Sequence, residues 1–452
     1  MKIVFYGGAQ SVAGSNYLLE DKGTRILIDC GLFQGAHYCE KLNFEPFPYD
    51  PALIEAVLVT HSHIDHIGRL PKLYKDGFRG RVFSTPPARD FSQELLLDSE
   101  HILLEEAKDR NKAPLYAIEE IDGLMGLWQG AKYHQKFRIK NFEIEFYDAG
   151  HILGSAIIVI TSDDGKKTVF SGDLGNMPAP LVKDVETVSG ADYAVVESTY
   201  GGRLHEDLGN RRDLLEDIIE EAAKSKGVLL IPAFAMERTQ ELLHEINDLV
   251  QAGKIPGEPV FIDSPLAIKL IAVYRKYLED PDYFDKEAIE EFKKGKEFLK
   301  LPGLKFILTT EESRALANIP APKIIIAGSG MSQGGRIIHH EKRYLPDPKN
   351  TILFIGYQTR GSLGRRILEG EKRVKILGEE VEVKCKIRSI SGYSAHADQA
   401  GLLRWLEPMR LTLKKIFLVQ GEGDQMEILS QKIGDELAIE TEIPSLGEEA
   451  VL

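Results

Sequence analysis

Apolar positions along the chain fall into two textures. Through the first part, short β-branched or apolar runs end in glycine or polar residues: KIVFY (2–6), NYLLE (16–20), RILID (25–29) and AVLVT (56–60). FEIEFYD (142–148), AIIVIT (156–161), TVFSG (168–172) and YAVVE (193–197) continue the pattern. Such runs predict strands. Helical patterns follow His66 and occupy much of 86–110. Strands with interleaved helices predict a layered α/β core with mixed sheets.

After Tyr200 the texture changes. LLEDIIEEAAK precedes VLLIP, ERTQELLHEINDLV precedes VFID, and KFILT, KIIIAG and TILFIG come later. Helix–strand alternation is the mark of a parallel sheet with crossover helices, hence of a separate α/β unit. From about Val381 the pattern returns to KCKIRSISGYS, a helix, KKIFLVQG, a final helix and a short strand. This closing piece is small for a domain and reads as completing the first sheet, so the middle is an inserted domain. The expected division is 1–203, then the insert at 204–378, then 379–452.

A chain of 452 residues, 43% hydrophobic and 28% charged, suits two domains or one with a large insertion. No run approaches the roughly 20 apolar residues that span a bilayer, so no membrane partner is expected. MKIVFYGG reads as a first strand rather than a signal peptide, which makes a cytoplasmic location the default. Cys30, Cys39 and Cys385 have no CxxC spacing and are expected to be reduced, packed thiols. The net charge of −14 argues against a protein that coats nucleic acid, but 323–375 holds 11 Lys or Arg against 4 Asp or Glu.

The densest chemistry is THSHIDH (60–66), directly after AVLVT. A strand ending there projects His61 and His63 to one side, with Asp65 and His66 opening the next element. Imidazole and carboxylate are the ligands zinc prefers. Three further strand ends carry a ligand-type residue beside glycine: Asp29 before Cys30-Gly31, His151 after Gly150, and Asp173 after Gly172. Loops along one sheet edge can gather such ends into a single site.

HSHIDH resembles the HxHxDH signature of the metallo-β-lactamase superfamily, with Asp29, His151 and Asp173 in that family's order. The resemblance implies an α/β fold with a four-layer αββα core and two zinc ions per chain. His61, His63 and His151 would hold one zinc, Asp65 and His66 the other, with Asp173 bridging and Asp29 orienting ligand imidazoles. The flavodiiron branch usually has Glu where this chain has His63, so hydrolysis is expected rather than redox chemistry. Zinc lowers the pKa of a bound water to roughly 7, and a metal pair roughly 3.5–4 Å apart can clamp a phosphodiester.

The zinc motif alone says only hydrolase. YAVVESTYGGRLHED (193–207) resembles motif A of the β-CASP branch of nucleic-acid-processing nucleases, and SGYSAHADQAG (391–401) resembles its motif B. Resemblance covers nearly the whole chain, including a β-CASP insertion at the expected place. Within the branch, glutamate at motif A marks RNA-directed members, so Glu197 implies single-stranded RNA as partner. His396, kept protonated by Glu197, would donate a proton to the departing 3′-oxygen. Read singly, Glu197 is as well explained as a helix cap or an Arg203 partner, and His396 as a cap for the helix at 398–407. GSGMSQGGRIIHHEK (328–342) puts Ser332, Gly334, Gly335 and Arg336 at a helix start near Gly335, where amides bind phosphate oxygens. Arg360, Arg365 and Arg366 would pair with neighbouring phosphates. A homodimer follows by family analogy.

One position departs from the pattern. RNA-directed relatives place a last zinc histidine in a motif resembling LVHGE, whereas this chain has LVQGE with Gln420. A neutral amide is a poorer zinc ligand than imidazole, so a weakened second site is expected. The departure leaves two alternatives open: a DNA nuclease of the same branch, or a catalytically weakened RNA-binding subunit.

Overall fold

The computed structural model describes residues 1–34, 41–109, 113–178, 181–286, 289–290 and 301–452, and it separates into two compact units. One comprises Met1–Leu204 with His396–Leu452, and the other His205–Ala395. Cys39 lies outside the described residues, while Cys30 and Cys385 are buried and free of disulfides. No helix among the described residues is long and apolar enough to cross a membrane.

The first unit is built on two seven-stranded sheets. In one, Lys2–Gly7, Asn16–Asp21, Thr24–Ile28, Ala56–Leu58, Arg81–Ser84 and Trp128–Gly130 follow in chain order, and Glu449–Val451 adds antiparallel beside Lys2–Gly7. In the other, Phe142–Asp148, Ala156–Ser162, Lys167–Phe170 and Tyr193–Glu197 are joined by Lys415–Val419, parallel to Tyr193–Glu197. The C-terminal segment therefore completes both sheets.

Strand periodicity explains the layering. Phe142–Asp148 alternates buried and half-buried positions, sending every second side chain to one face. Ile144, Phe146, Ile158, Ile160 and Phe417 meet Ile3, Phe5, Ile26, Ile28 and Leu58 in a core between the sheets. On the far side of the second sheet, Val159, Val169 and Leu418 pack against Leu402, Leu406, Leu429 and Ile433 of the helices Gln399–Leu406 and Gly423–Leu437. Leu27, Val57 and Val82 are buried on the outer face of the first sheet, the side of helices Leu70–Lys75, Pro86–Asp109 and Ile118–Met125. The order of layers is αββα.

The second unit is a six-stranded sheet in which every strand pair is parallel. Val228–Pro232 shows why its runs are continuously apolar. Leu229 and Ile231 enter one core with Leu242 and Ile246, while Val228 and Leu230 enter a second with Leu345 and Ile367. A sheet covered on both faces needs apolar residues at both parities. The edge strand is Lys386–Ser389, paired in parallel with Thr351–Phe354. Residues 379–395, grouped by their texture with the C-terminal piece, thus lie in the second unit, and the chain returns to the first at His396.

Candidate metal centre

Strand direction brings the chemistry to one edge of the first unit. Lys167–Phe170, Tyr193–Glu197 and Lys415–Val419 run parallel, so their C-terminal ends deliver Asp173, Glu197 and Gln420 on the same side. Thr24–Ile28 and Ala56–Leu58 do likewise for Asp29 and the 60–66 loop. Close packing of these loops demands glycine at two points. Gly172 has φ +56°, and a Cβ there would stand 2.8 Å from Thr60 Cβ. A Cβ on Gly31 would lie 1.5 Å from the Asp65 carbonyl oxygen. Both substitutions would force the loops apart.

His61, His63, His151 and Asp173 each offer one ligand atom within 4.8 Å of the others. His61 Nε2 faces His63 Nδ1 at 3.0 Å, and His151 Nε2 faces the same atom at 3.2 Å. Asp173 Oδ2 lies 3.4 Å from His61 Nε2 and 3.6 Å from His151 Nε2. Ring nitrogens turned toward one another at such spacings match the edges that a coordination shell would have. Two atoms roughly 2.1 Å from a shared ion stand roughly 3.0–3.4 Å apart at right or tetrahedral angles. Asp173 Oδ1 is buried without a hydrogen-bond partner, although His66 Nε2 is 3.4 Å away, and Asp65 Oδ2 is 3.8 Å from that nitrogen. A buried, unpartnered carboxylate oxygen beside converging imidazoles fits a divalent cation.

Asp29, 1% exposed, organises the set from behind. Its carboxylate receives the Thr60 N–H at 2.8 Å, the Thr60 hydroxyl at 2.9 Å, the Ser15 hydroxyl at 3.1 Å and His66 Nδ1 at 2.7 Å. That last bond directs His66 Nε2 toward Asp173. Thr60 also lies 3.1 Å from His61 Nδ1, so one hydroxyl steadies two rings and the carboxylate. Sequence reasoning missed Thr60 and Ser15. Adjacency to the histidine run was the available signal for Thr60, and Ser15 offered none.

A second group joins at Asp173. His396 Nδ1 stands 3.2 Å from both Glu197 oxygens and 3.9 Å from Asp173 Oδ2. Glu197 is wholly buried and accepts the Leu174 N–H at 2.8 Å and the Thr199 N–H at 3.3 Å. Ala397 donates its N–H to the Leu174 carbonyl at 2.7 Å, which ties the His396 segment to the Asp173 loop.

Charge follows from this crowding. Burial drives His61 well below the usual imidazole range, assisted by the neighbouring histidines. Burial opposes charge on His66 as well, but the carboxylates of Asp173, Asp29 and Asp65 hold it well above that range. Asp173 stays well below the carboxylate range despite burial, because His66, His61 and His396 face it. Burial lifts Asp65 to about 6. His396 rises to about 9, since Glu197 and Asp173 outweigh the burial that opposes its charge.

In the second unit the expected RNA-binding residues divide. Ser332 is 1% exposed and gives its hydroxyl to Glu341. Arg336 donates to Asp263 Oδ1 at 2.6 Å and to the Ile307 and Leu308 carbonyls at 3.0 and 2.9 Å. Both turn inward because the buried carboxylates need partners, and the helix begins at Ile337 rather than near Gly335. A Cβ at Gly334 would meet open space, and Gly335 has φ +70°. Arg360 is exposed, Arg365 pairs with Glu369 at 2.6 Å, and Arg366 pairs with Glu371 at 2.6 Å.

Three family models match successive stretches of the chain. They describe a beta-lactamase superfamily domain over residues 24–208, a Beta-Casp domain over 239–367, and a Zn-dependent metallo-hydrolase RNA specificity domain over 380–444. A ribonuclease of Thermus thermophilus is 38% identical over 434 residues, 95% of each chain. An RNase J-like protein of Methanocaldococcus jannaschii is 31% identical over 449 residues, 98% of each. Transcription termination factor FttA of Methanosarcina mazei is 30% identical over 457 residues, 98% of this chain and 70% of that one. A crystal structure from Enterococcus faecalis, described as a protein of unknown function, shares the fold with a TM-score of 0.55 at 11% identity, covering 100% of this chain and 99% of that one.

Proposed function

This chain belongs to the β-CASP family of metallo-β-lactamase-fold ribonucleases, which are metal-dependent nucleases, and from that premise we propose that it hydrolyses single-stranded RNA with zinc in RNA processing or decay. The observation that carries the reading is the convergence of His61, His63, His151 and Asp173 beside the His396–Glu197 pair. Those four residues would hold zinc, and Asp65, His66 and Asp173 would hold a second ion, for two per chain.

When bound, such ions supply a nucleophile at neutral pH and Lewis acidity at the scissile phosphate. The protein's own groups do the rest. Asp29 and Thr60 fix the imidazoles so that their free nitrogens converge. Glu197 accepts from His396 Nδ1 and favours its protonated form, which leaves Nε2 to deliver a proton to the departing 3′-oxygen. Phosphates of the strand are held by the amides around Gly334 and Gly335 and by Arg360 and Arg365, while Ser332 and Arg336 brace that loop from within. Contacts to phosphate carry no base information, so intrinsic sequence preference is weak.

The test is cleavage of one RNA labelled at either end, with zinc supplied and withdrawn, beside DNA of the same sequence. Cleavage of RNA that stops on chelation supports the reading. Cleavage of DNA with RNA untouched overturns the substrate.

A further inference from the structure

Helix Arg238–Gln251 places Arg238, Glu241 and Glu245 at intervals of three and four, so all three share one face. Arg211 of helix Leu208–Lys224 meets that face, with its guanidinium 3.1 Å from Glu241 and bonded to Glu245. Arg238 bonds Glu241 in turn. None of the four is more than 7% exposed. A buried ion pair seldom adds stability over apolar residues of the same volume. Two cations and two anions gathered in one place therefore call for another reason.

The rest of their hydrogen bonding goes to one stretch of backbone, the tight turn Ser391–Tyr393. Arg211 donates to the Gly392 carbonyl at 2.9 Å, and Arg238 to the Tyr393 carbonyl at 2.6 Å. The Tyr393 hydroxyl donates to Glu245, and the Arg211 guanidinium lies 4.5 Å from the centre of the Tyr393 ring. Burial, with Glu245 beside it, holds that phenol above its usual range, so it remains a donor. Glu206 adds a further hold, accepting the Ser391 hydroxyl at 2.5 Å and the Gly392 N–H at 2.6 Å. The Ser394 N–H closes the turn on the Ser391 carbonyl at 2.8 Å. A Cβ at Gly392 would stand 3.1 Å from Arg211 Cδ and from the Glu206 carbonyl oxygen, so glycine lets the grip close.

Only Ser394 and Ala395 separate this turn from His396. Every contact of the clasp lies within the second unit, so it acts on His396 through the chain. We propose that Arg211, Arg238, Glu241 and Glu245 are positioning residues for proton donation: by fixing residues 391–393 they set the point at which the chain enters His396. The proposal rests on the reading of His396 as donor to the departing 3′-oxygen. When water adds to phosphorus and the P–O3′ bond breaks, the Nε2 proton goes to that oxygen, and misplacing the donor by about 1 Å can cost roughly 10²-fold. Glu197 steers the ring at Nδ1, and the Ala397 N–H holds the backbone one residue later. The clasp supplies the hold three residues earlier.

The test replaces the bridging 3′-oxygen at one linkage of a short single-stranded RNA by sulfur, which departs without needing a proton. Products are sized so that only cuts at that linkage are counted, with full-length protein whose metal per chain is measured. His396→Ala is expected to slow the oxygen linkage by roughly 10²–10⁴ and to spare the sulfur linkage. Tyr393→Phe drops one hydrogen bond, and Arg211→Met with Glu245→Leu removes one charge of each sign, which keeps buried charge in balance. Both are expected to slow the oxygen linkage, the double variant by at least ~10-fold, and to cut the sulfur linkage within ~2-fold of wild type. Misfolding or metal loss would slow the sulfur linkage too. Equal losses on both linkages in the clasp variants, or no loss on either, overturns the proposal and leaves the nuclease reading intact. Equal losses in His396→Ala overturn the donor reading and the proposal with it, and cleavage of neither linkage by the wild type overturns the nuclease reading as well.

Discussion

His396 Nδ1 stands 3.2 Å from each carboxylate oxygen of Glu197, an even hold on one ring nitrogen. Because Glu197 is itself fixed by the Leu174 and Thr199 amides, the ring cannot leave without abandoning a buried charge. His396→Ala is therefore expected to lower single-turnover RNA cleavage by roughly 10²–10⁴ with metal content unchanged. In the metal-free protein His396 should titrate near 9 by NMR, and Glu197→Gln should move that midpoint downward, because the largest favourable charge is gone. A midpoint unmoved by Glu197→Gln would contradict the pairing.

Asp29 acts through the rings it holds. Asp29→Asn keeps the shape but weakens the grip on His66 Nδ1 and Thr60. The expected loss is roughly 10–100-fold in metal affinity. Isothermal titration of the metal-free protein measures it. Equal affinity in the variant would remove Asp29 from the site.

Basic residues of the second unit should separate by where their charge goes. Arg336 is spent on Asp263 and two carbonyls, so Arg336→Ala should act on stability, by ~2–4 kcal/mol, because it leaves a buried carboxylate short of a partner. Arg360 is exposed, and Arg360→Ala should weaken RNA binding and flatten the plot of log affinity against log salt by about 0.7. Binding isotherms at several salt concentrations, beside melting curves, decide the point.

Glu341 ties stability to pH. Burial raises its carboxyl to about 8, with the Ser332 hydroxyl opposing, while an unfolded chain has it near 4.3. The folded state thus keeps a proton that the unfolded chain has released. This contribution is fully present below about pH 4.3 and is lost as the pH climbs to about 8. Glu341→Gln should flatten that decline, by ~5 kcal/mol between its two ends. Thermal melts of the metal-free protein across this window provide the check, and parallel profiles for the two proteins would refute it.

Ligand chemistry is why so much of the site was legible. A metal accepts few residue types, so His61, His63, His151 and Asp173 announce themselves at strand ends, and the structure gathers them. Hydroxyl groups do not announce themselves. Thr60 and Ser15 take their meaning only from the carboxylate of Asp29 beside them. The inward turn of Arg336 was equally hidden, since its acceptor Asp263 lies 73 positions away. Strand existence could be read from two-residue periodicity, as in Phe142–Asp148, but partnership could not. Nothing in KIRS says that it pairs with Thr351–Phe354 rather than with a sheet of the first unit.

The insertion of Lys415–Val419 beside Tyr193–Glu197, with His396 arriving just ahead of it, also sets a schedule. A polypeptide that has emerged only as far as the second unit already possesses the three histidines and Asp173, yet lacks His396 and the strand beside Tyr193–Glu197. The second sheet, and with it the edge that carries the site, is therefore completed only by the strand Lys415–Val419.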